Sequence, residues 1–197
     1  KGQLLKAKET LQKYRDVINP KELFTIKEIQ ILFYLNEWDV LNQKIDSFLK
    51  DDLKNINYYN DVLKMKSYIA IFGNEKEQLN IYTKSLMKKF QNKRHESIKI
   101  ISELSNNNKI EISSKMKYEH AQLLIKQNNI DEAIILLDKI SEESAEIEPA
   151  ILLKAEIYDY ILNNLSIAVD LYLYLLDTYP DSIYYDLIRL RLREITS

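Results

Sequence analysis

The sequence predicts an all-α fold, an α-solenoid of antiparallel helix pairs with about ten or eleven helices. Three observations carry this. Apolar residues recur at i, i+3, i+4 spacing along almost the whole chain. Only 2 Gly and 3 Pro occur in 197 residues, too few for the turns of a β-rich fold or for a phosphate-binding α/β fold. The predicted helices are separated mostly by very short polar turns, so each must fold back on its predecessor.

Taken in order, the first helix is predicted over Leu4–Ile18, with Leu4, Ala7, Leu11, Tyr14 and Ile18 on one face. Asn19-Pro20 ends it, and Pro20 suits the start of the next. A second helix follows over Glu22–Leu35, a short turn at Asn36-Glu37, and a third over Trp38–Leu49 with Leu41, Ile45, Phe48 and Leu49 inward. Asp51–Asn57 reads as a polar loop. The fourth helix covers Tyr58–Phe72 and stops at Gly73-Asn74, because glycine tolerates the left-handed conformation of a helix C-terminus. Helices over Glu75–Phe90 and Glu96–Leu104 flank a turn or kink at Gln91–Arg94, and the triple asparagine in Ser105–Lys109 marks a loop. The C-terminal half reads as helices Ile112–Gln127, Ile130–Ile140, Pro149–Leu162, Leu165–Thr178 and Ser182–Ile195, the last capped by Asp181-Ser182.

An internal repeat underlies this pattern. Gln127-Asn128-Asn129-Ile130-Asp131-Glu132-Ala133-Ile134 parallels Leu162-Asn163-Asn164-Leu165-Ser166-Ile167-Ala168-Val169, with Ala133 and Ala168 offset by 35 (168 − 133). Leu35-Asn36-Glu37-Trp38 begins the same unit, and Ala7 to Leu41 is an offset of 34. These segments resemble tetratricopeptide repeats. Ala168, Tyr172, Leu175 and Pro180 match the second-helix run of that family; Ala121, Leu124, Ala133, Leu137 and Ile140 match most of the preceding unit; Ala7, Leu11 and Tyr14 follow it, with Pro20 one residue late. Small residues let the helices of a pair approach, and larger ones fill the groove against the next pair. The 56 residues from Leu41 to Ser97 are not a multiple of the repeat, so an extra helix is expected there. The chain is therefore read as one helical-repeat domain, 1–197, irregular over 58–110 and regular over 112–195. The segment Leu171–Ser182 is similar to repeats of bacterial envelope proteins, which implies a bacterial periplasm or cell envelope, with the cytoplasm as the alternative.

Composition narrows the function classes. Lys+Arg at 28 balances Asp+Glu at 30, without the basic excess of a nucleic-acid binder. Cysteine is absent, which removes disulfides, thiolate metal sites and a cysteine nucleophile. No apolar run is long enough to span a bilayer. The chain opens at Lys1-Gly2, so a trimmed chain with an upstream leader or repeats is expected. Gly-rich phosphate loops, GxSxG and HExxH are missing. His95 and His120 lack metal-ligand spacing, and His120 is expected to make an interhelical hydrogen bond. Lys88, Lys89, Lys93, Arg94 and His95 read as a solvated helix end, and Arg189, Arg191 and Arg193 as the polar surface of a capping helix. Asp51-Asp52 and Glu142-Glu143 read as loop surface, Asn164-Leu165-Ser166 as a sequon in a tight turn, and Trp38 as core.

What remains is the face lined by the first helix of each pair. Carrying the register from Ala121 and Ala155 places Lys115, Tyr118, Gln122, Lys126, Glu156, Asp159 and Tyr160 outward on it. Mixed charges and tyrosines suit a polypeptide groove. The expectation is a non-catalytic scaffold that binds a protein or peptide, with no catalytic residue, no metal, no cofactor, no nucleic acid and no membrane span. The alternatives are a peptide-sensing regulator and the repeat portion of a larger enzyme. Homo-oligomerisation through the C-terminal helix is a further expectation, because Ile183, Leu187, Leu190 and Ile195 leave apolar surface there, unless Tyr184, Arg189, Arg191 and Arg193 cap it.

Overall fold

The computed structural model describes residues 2–19, 21–50 and 56–196, and all regular structure among them is helical. The chain divides into two compact units, Lys1–Ile100 and Ile101–Ser197. The first holds α1 (Gly2–Lys13), α2 (Lys21–Leu35), α3 (Trp38–Lys50), α4 (Ile56–Phe72) and α5 (Lys76–Phe90). Helix α6 (Arg94–Leu104) carries the chain across the division. The second unit holds α7 (Ile110–Ile125), α8 (Ile130–Leu137), α9 (Ile147–Glu156), α10 (Leu165–Thr178) and α11 (Tyr185–Thr196). Helix α9 runs on into one π turn, Ile157–Ile161. The predicted role of Pro20 and the Asp51-Asp52 pair lie outside the described residues.

Within the first unit each helix packs on the next, and α2 also touches α4 and α5. That position explains its sequence. Phe24, Ile26, Ile29, Leu32, Phe33 and Leu35 of α2 are all buried, so the helix is apolar nearly all round instead of carrying one stripe. Its single buried charge, Glu28, accepts from Gln12 at 2.8 Å and pairs with Lys44 at 2.6 Å. Trp38 is core, as read, edge-on to Phe33 at 5.8 Å, with its indole N–H donating to Asn80 Oδ1 at 3.1 Å. Tyr82 packs against Tyr68 and Phe72 at 4.7 and 5.4 Å.

In the second unit α7 packs on α8, α9 on α10, and α10 on α11. Ala121, Ala133, Ala150, Ala155 and Ala168 are all buried, four of them completely. Missing side-chain bulk at these contacts is what lets the helices approach. One cluster joins Ala121, Leu124, Ala133, Leu137, Ile140, Ala150 and Ile157; another joins Leu152, Ala155, Ala168, Tyr172, Leu175 and Ile188.

Asparagine makes the turns. Asn36, Asn92, Asn128 and Asn163 have φ of 64, 60, 65 and 52°, and Gly73 has 51°. Each follows a helix, and at Asn36, Gly73, Asn128 and Asn163 the next helix packs back on the one before it. At Asn36 the Glu37 N–H donates to Leu32 O and Asn36 N–H to Phe33 O; at Asn128 the Asn129 N–H donates to Leu124 O and Asn128 N–H to Ile125 O. These are Schellman pairs, which satisfy the carbonyls a helix end leaves open. From Asn36 to Gly73 is 37 residues and from Asn128 to Asn163 is 35, but from Gly73 to Asn128 is 55, an interval that also contains α6. The irregular middle thus holds an odd helix.

Several elements differ from the reading of the sequence. Helix α1 stops at Lys13, and residues 14–17 continue only as turns, Val17 N–H donating to Tyr14 O. Polar contacts tie α1 to its neighbours, Gln12 to Glu28 at 2.8 Å and Lys8 to Glu37 at 2.6 Å, but α1 buries no residue, Ala7 is exposed, and Val17 is exposed as well. Ala7 is therefore not a close-packing alanine. Of the two readings left open at Gln91–Arg94, turn or kink, the structure has the turn, with Asn92 left-handed. Helix α8 ends at Leu137, three residues early. Helix α11 begins at Tyr185, not Ser182, because the Ser182 hydroxyl takes the Tyr184 N–H at 3.2 Å and closes a turn of its own.

Candidate functional site

The candidate face belongs to the second unit and is built from α7, α9 and α11. On α7, Lys115 pairs with Glu146 at 2.9 Å, and its ammonium lies 5.8 Å from the Tyr118 ring. Tyr118 is half-buried, and burial pushes its hydroxyl up to about 12, helped by Tyr184, Glu146 and Glu156; a hydrogen bond with Gln122 opposes the rise. The structure therefore gathers Lys115, Tyr118, Gln122 and Glu156, together with Glu146 at the head of α9 and Tyr184 just before α11. Sequence reading missed Glu146, which it left in a loop; its signal was its place at the first turn of a packing helix. Lys126 stands exposed at the C-terminal end of α7, with no ion pair among the described residues.

Asp159 departs from the expectation. It is buried, with 3% of its surface exposed, and does not point outward. Its position follows from spacing: Leu152, Ala155 and Asp159 lie at successive steps of three and four on one stripe, and that stripe faces α10 and α11. Two partners satisfy the carboxylate. Arg191 Nε and Nη2 donate to Oδ2 and Oδ1, both at 2.8 Å, and the Tyr172 hydroxyl donates to Oδ2 at 3.1 Å. Such a fork is the favoured geometry for guanidinium and carboxylate. The Arg191 bonds hold the Asp159 carboxyl below the usual aspartate range against the opposing effect of burial. Burial and the adjacent Asp159 charge push the Tyr172 hydroxyl up. Arg191 is thus an internal clamp and not simply capping surface; its third nitrogen bonds Glu194 at 2.9 Å.

Beside this clamp lies a cleft of about 310 Å³. Leu152, Leu187, Ile188 and Leu190 give it apolar walls. Glu156, Tyr160, Arg191 and Glu194 line its polar side. Tyr160 is 60% exposed, and its ring stacks under the Arg191 guanidinium at 4.7 Å. The π turn that carries Asp159 and Tyr160 closes with Leu162 N–H donating to Ile157 O at 2.9 Å and Asn164 N–H to Tyr158 O at 2.7 Å. Glu156 makes no hydrogen bond or ion pair among the described residues. Burial first, and the Asp159 charge second, push its carboxyl above the usual glutamate range.

The other sequence candidates fall elsewhere. His120 makes no interhelical hydrogen bond through Nδ1, which is buried without a partner, and burial lowers its pKa. The basic run is drawn into local pairing: Lys88 and Lys93 both reach Glu96, which they hold below the usual glutamate range. Among the described residues no group of three or more His, Asp or Glu side chains is placed to hold a metal ion, and no helix is long and apolar enough to cross a membrane. The chain matches no protein-family model, no curated protein and no solved structure.

Proposed function

We propose that this chain is a non-catalytic interaction scaffold, a helical solenoid of tetratricopeptide type that binds a protein or peptide on the face formed by α7, α9 and α11. The observation that carries the reading is the convergence on that face of Lys115, Tyr118, Gln122, Glu146 and Glu156, continued by the cleft at Tyr160 and Arg191. Lysine, glutamates and tyrosines in alternation offer a polypeptide both charge signs and flat apolar surface. A polyanion would meet carboxylates at every step, so nucleic acid suits the face poorly. The buried alanines at the helix contacts, with a 35-residue interval between turns, support the repeat type.

A photo-reactive phenylalanine analogue at Gln122 or Tyr160 tests this in the cells that make the protein. The same analogue at Ile135 on α8 or Tyr174 on α10, both exposed, is the control. The proposal expects one polypeptide to be cross-linked from Gln122 and Tyr160 and not from Ile135 and Tyr174. Capture through α8 and α10 alone would place the binding face elsewhere, and capture of nucleic acid in place of protein would remove the scaffold reading. Tyr160 is a better position than Tyr118, because Tyr118 packs against a core cluster and its replacement would disturb the fold.

A further inference from the structure

We infer that the cleft between the π turn and α11 receives a lysine or arginine side chain of the bound polypeptide, with Glu156 as its counter-ion and Leu187 and Leu190 holding the apolar residues beside it. The inference rests on the scaffold reading and names the chemistry of its partner.

The charge of the cleft selects a cation. Three carboxylates, Glu156, Asp159 and Glu194, stand at the cleft or directly behind it, against one cation, Arg191. That cation is consumed: all three of its nitrogens are bonded to Asp159 and Glu194. Glu156 is left as a half-buried carboxylate without a countercharge, in an apolar-walled cleft and next to a second negative charge. Ionised, it is costly in the free protein, and an incoming cation relieves that cost. An incoming anion would meet an excess of negative charge.

The shape of the cleft selects a polypeptide side chain with apolar neighbours. The exposed Tyr160 ring offers a face for a cation, as it already does for Arg191. Leu187 and Leu190, 57% and 59% exposed, extend the wall of the cleft outward along α11. A free amine would leave these leucines uncovered. A basic residue flanked by apolar ones covers them, so the occupant is a segment of polypeptide and not a small polyamine.

The test is a titration of the isotope-labelled 197-residue protein followed by NMR. The probes are the blocked peptide Ser-Leu-Lys-Leu-Ser, the same peptide with Glu in place of Lys, and butylammonium. The lysine peptide is expected to bind about tenfold more tightly than the glutamate peptide and to shift the signals of Tyr160, Leu187 and Leu190. Glu156→Gln is expected to weaken the lysine peptide about tenfold while melting no lower than the parent, because it removes an uncompensated charge. Leu190→Gln is a second variant, expected to weaken the peptide and not butylammonium. Equal binding of the two peptides, indifference to Glu156→Gln, or butylammonium binding as tightly as the peptide would each overturn the inference. Shifts confined to Tyr118 and Gln122 would overturn it and leave the scaffold reading standing. A face that neither the peptides nor any cross-linked polypeptide touches would remove both.

Discussion

At the scale of single residues, this protein uses asparagine where helical proteins most often use glycine. Asn36, Asn92, Asn128 and Asn163 each hold the left-handed conformation that ends a helix. Asparagine tolerates it because its short polar side chain can bond locally. Asn128→Ala should therefore cost about 1 kcal/mol, and Asn128→Gly should be neutral or slightly stabilising. Urea midpoints at unchanged slope read both, and equal loss in the two variants would show that the side chain, not the backbone, matters. The Asp159 clamp is the second residue-scale feature. Asp159→Asn weakens the acceptor of the fully buried Tyr172 hydroxyl and of Arg191, and about 1–3 kcal/mol should be lost at pH 7. Because Arg191 lowers the folded carboxyl below its unfolded value, the stabilisation is complete above about pH 4 and fades as pH falls through the lowered folded value. Melting curves of parent and variant should converge in acid. A gap independent of pH would mean that the charge contributes nothing.

At the scale of elements, helices were readable in the sequence wherever packing enforces them. Leu165–Thr178 agrees at both ends, because Ala168, Tyr172 and Leu175 lock one stripe and Asn164 caps the start by accepting the Ile167 N–H. Helix α1 was over-read: its apolar spacing continues past Lys13, but no buried residue anchors it there. The start of α11 was over-read for a different reason, since Ser182 has two ways to use its hydroxyl and periodicity does not choose between them. The π turn was invisible, because its apolar spacing reads as a continuation of α9, and the partner of its Asp159, Arg191, lies 32 residues away. Ala121, Ala133, Ala155 and Ala168 were legible from spacing, whereas Ala150 was missed and Ala7 over-read, and the buried ones make a direct prediction. Ala168→Leu forces a larger side chain into a completely buried contact and should destabilise by about 1–3 kcal/mol. Thermal melting checks it, and a variant that melts with the parent would contradict the packing described for α9 and α10.

At the scale of the whole molecule, the all-helical fold, the short turns and the odd helix in the middle were in the sequence as spacing. The candidate site was there only in part. Lys115, Tyr118, Gln122 and Glu156 come together because one register, read from Ala121 and Ala155, serves both helices. Asp159 was misplaced because it is polar on a stripe that spacing alone assigns inward, and only its partners on α10 and α11 make that burial tolerable. The cleft itself needs α9, α10 and α11 at once, and no local pattern encodes it. The central claim is that the first helices of the pairs, with α11, carry the binding surface. Amide hydrogen exchange, compared with and without the polypeptide cross-linked at that face, tests it most directly. Slower exchange along α7, the π turn at Ile157–Ile161 and α11, with α8 and the exposed side of α10 unchanged, is the predicted result. Protection confined to α8 and α10 would contradict it.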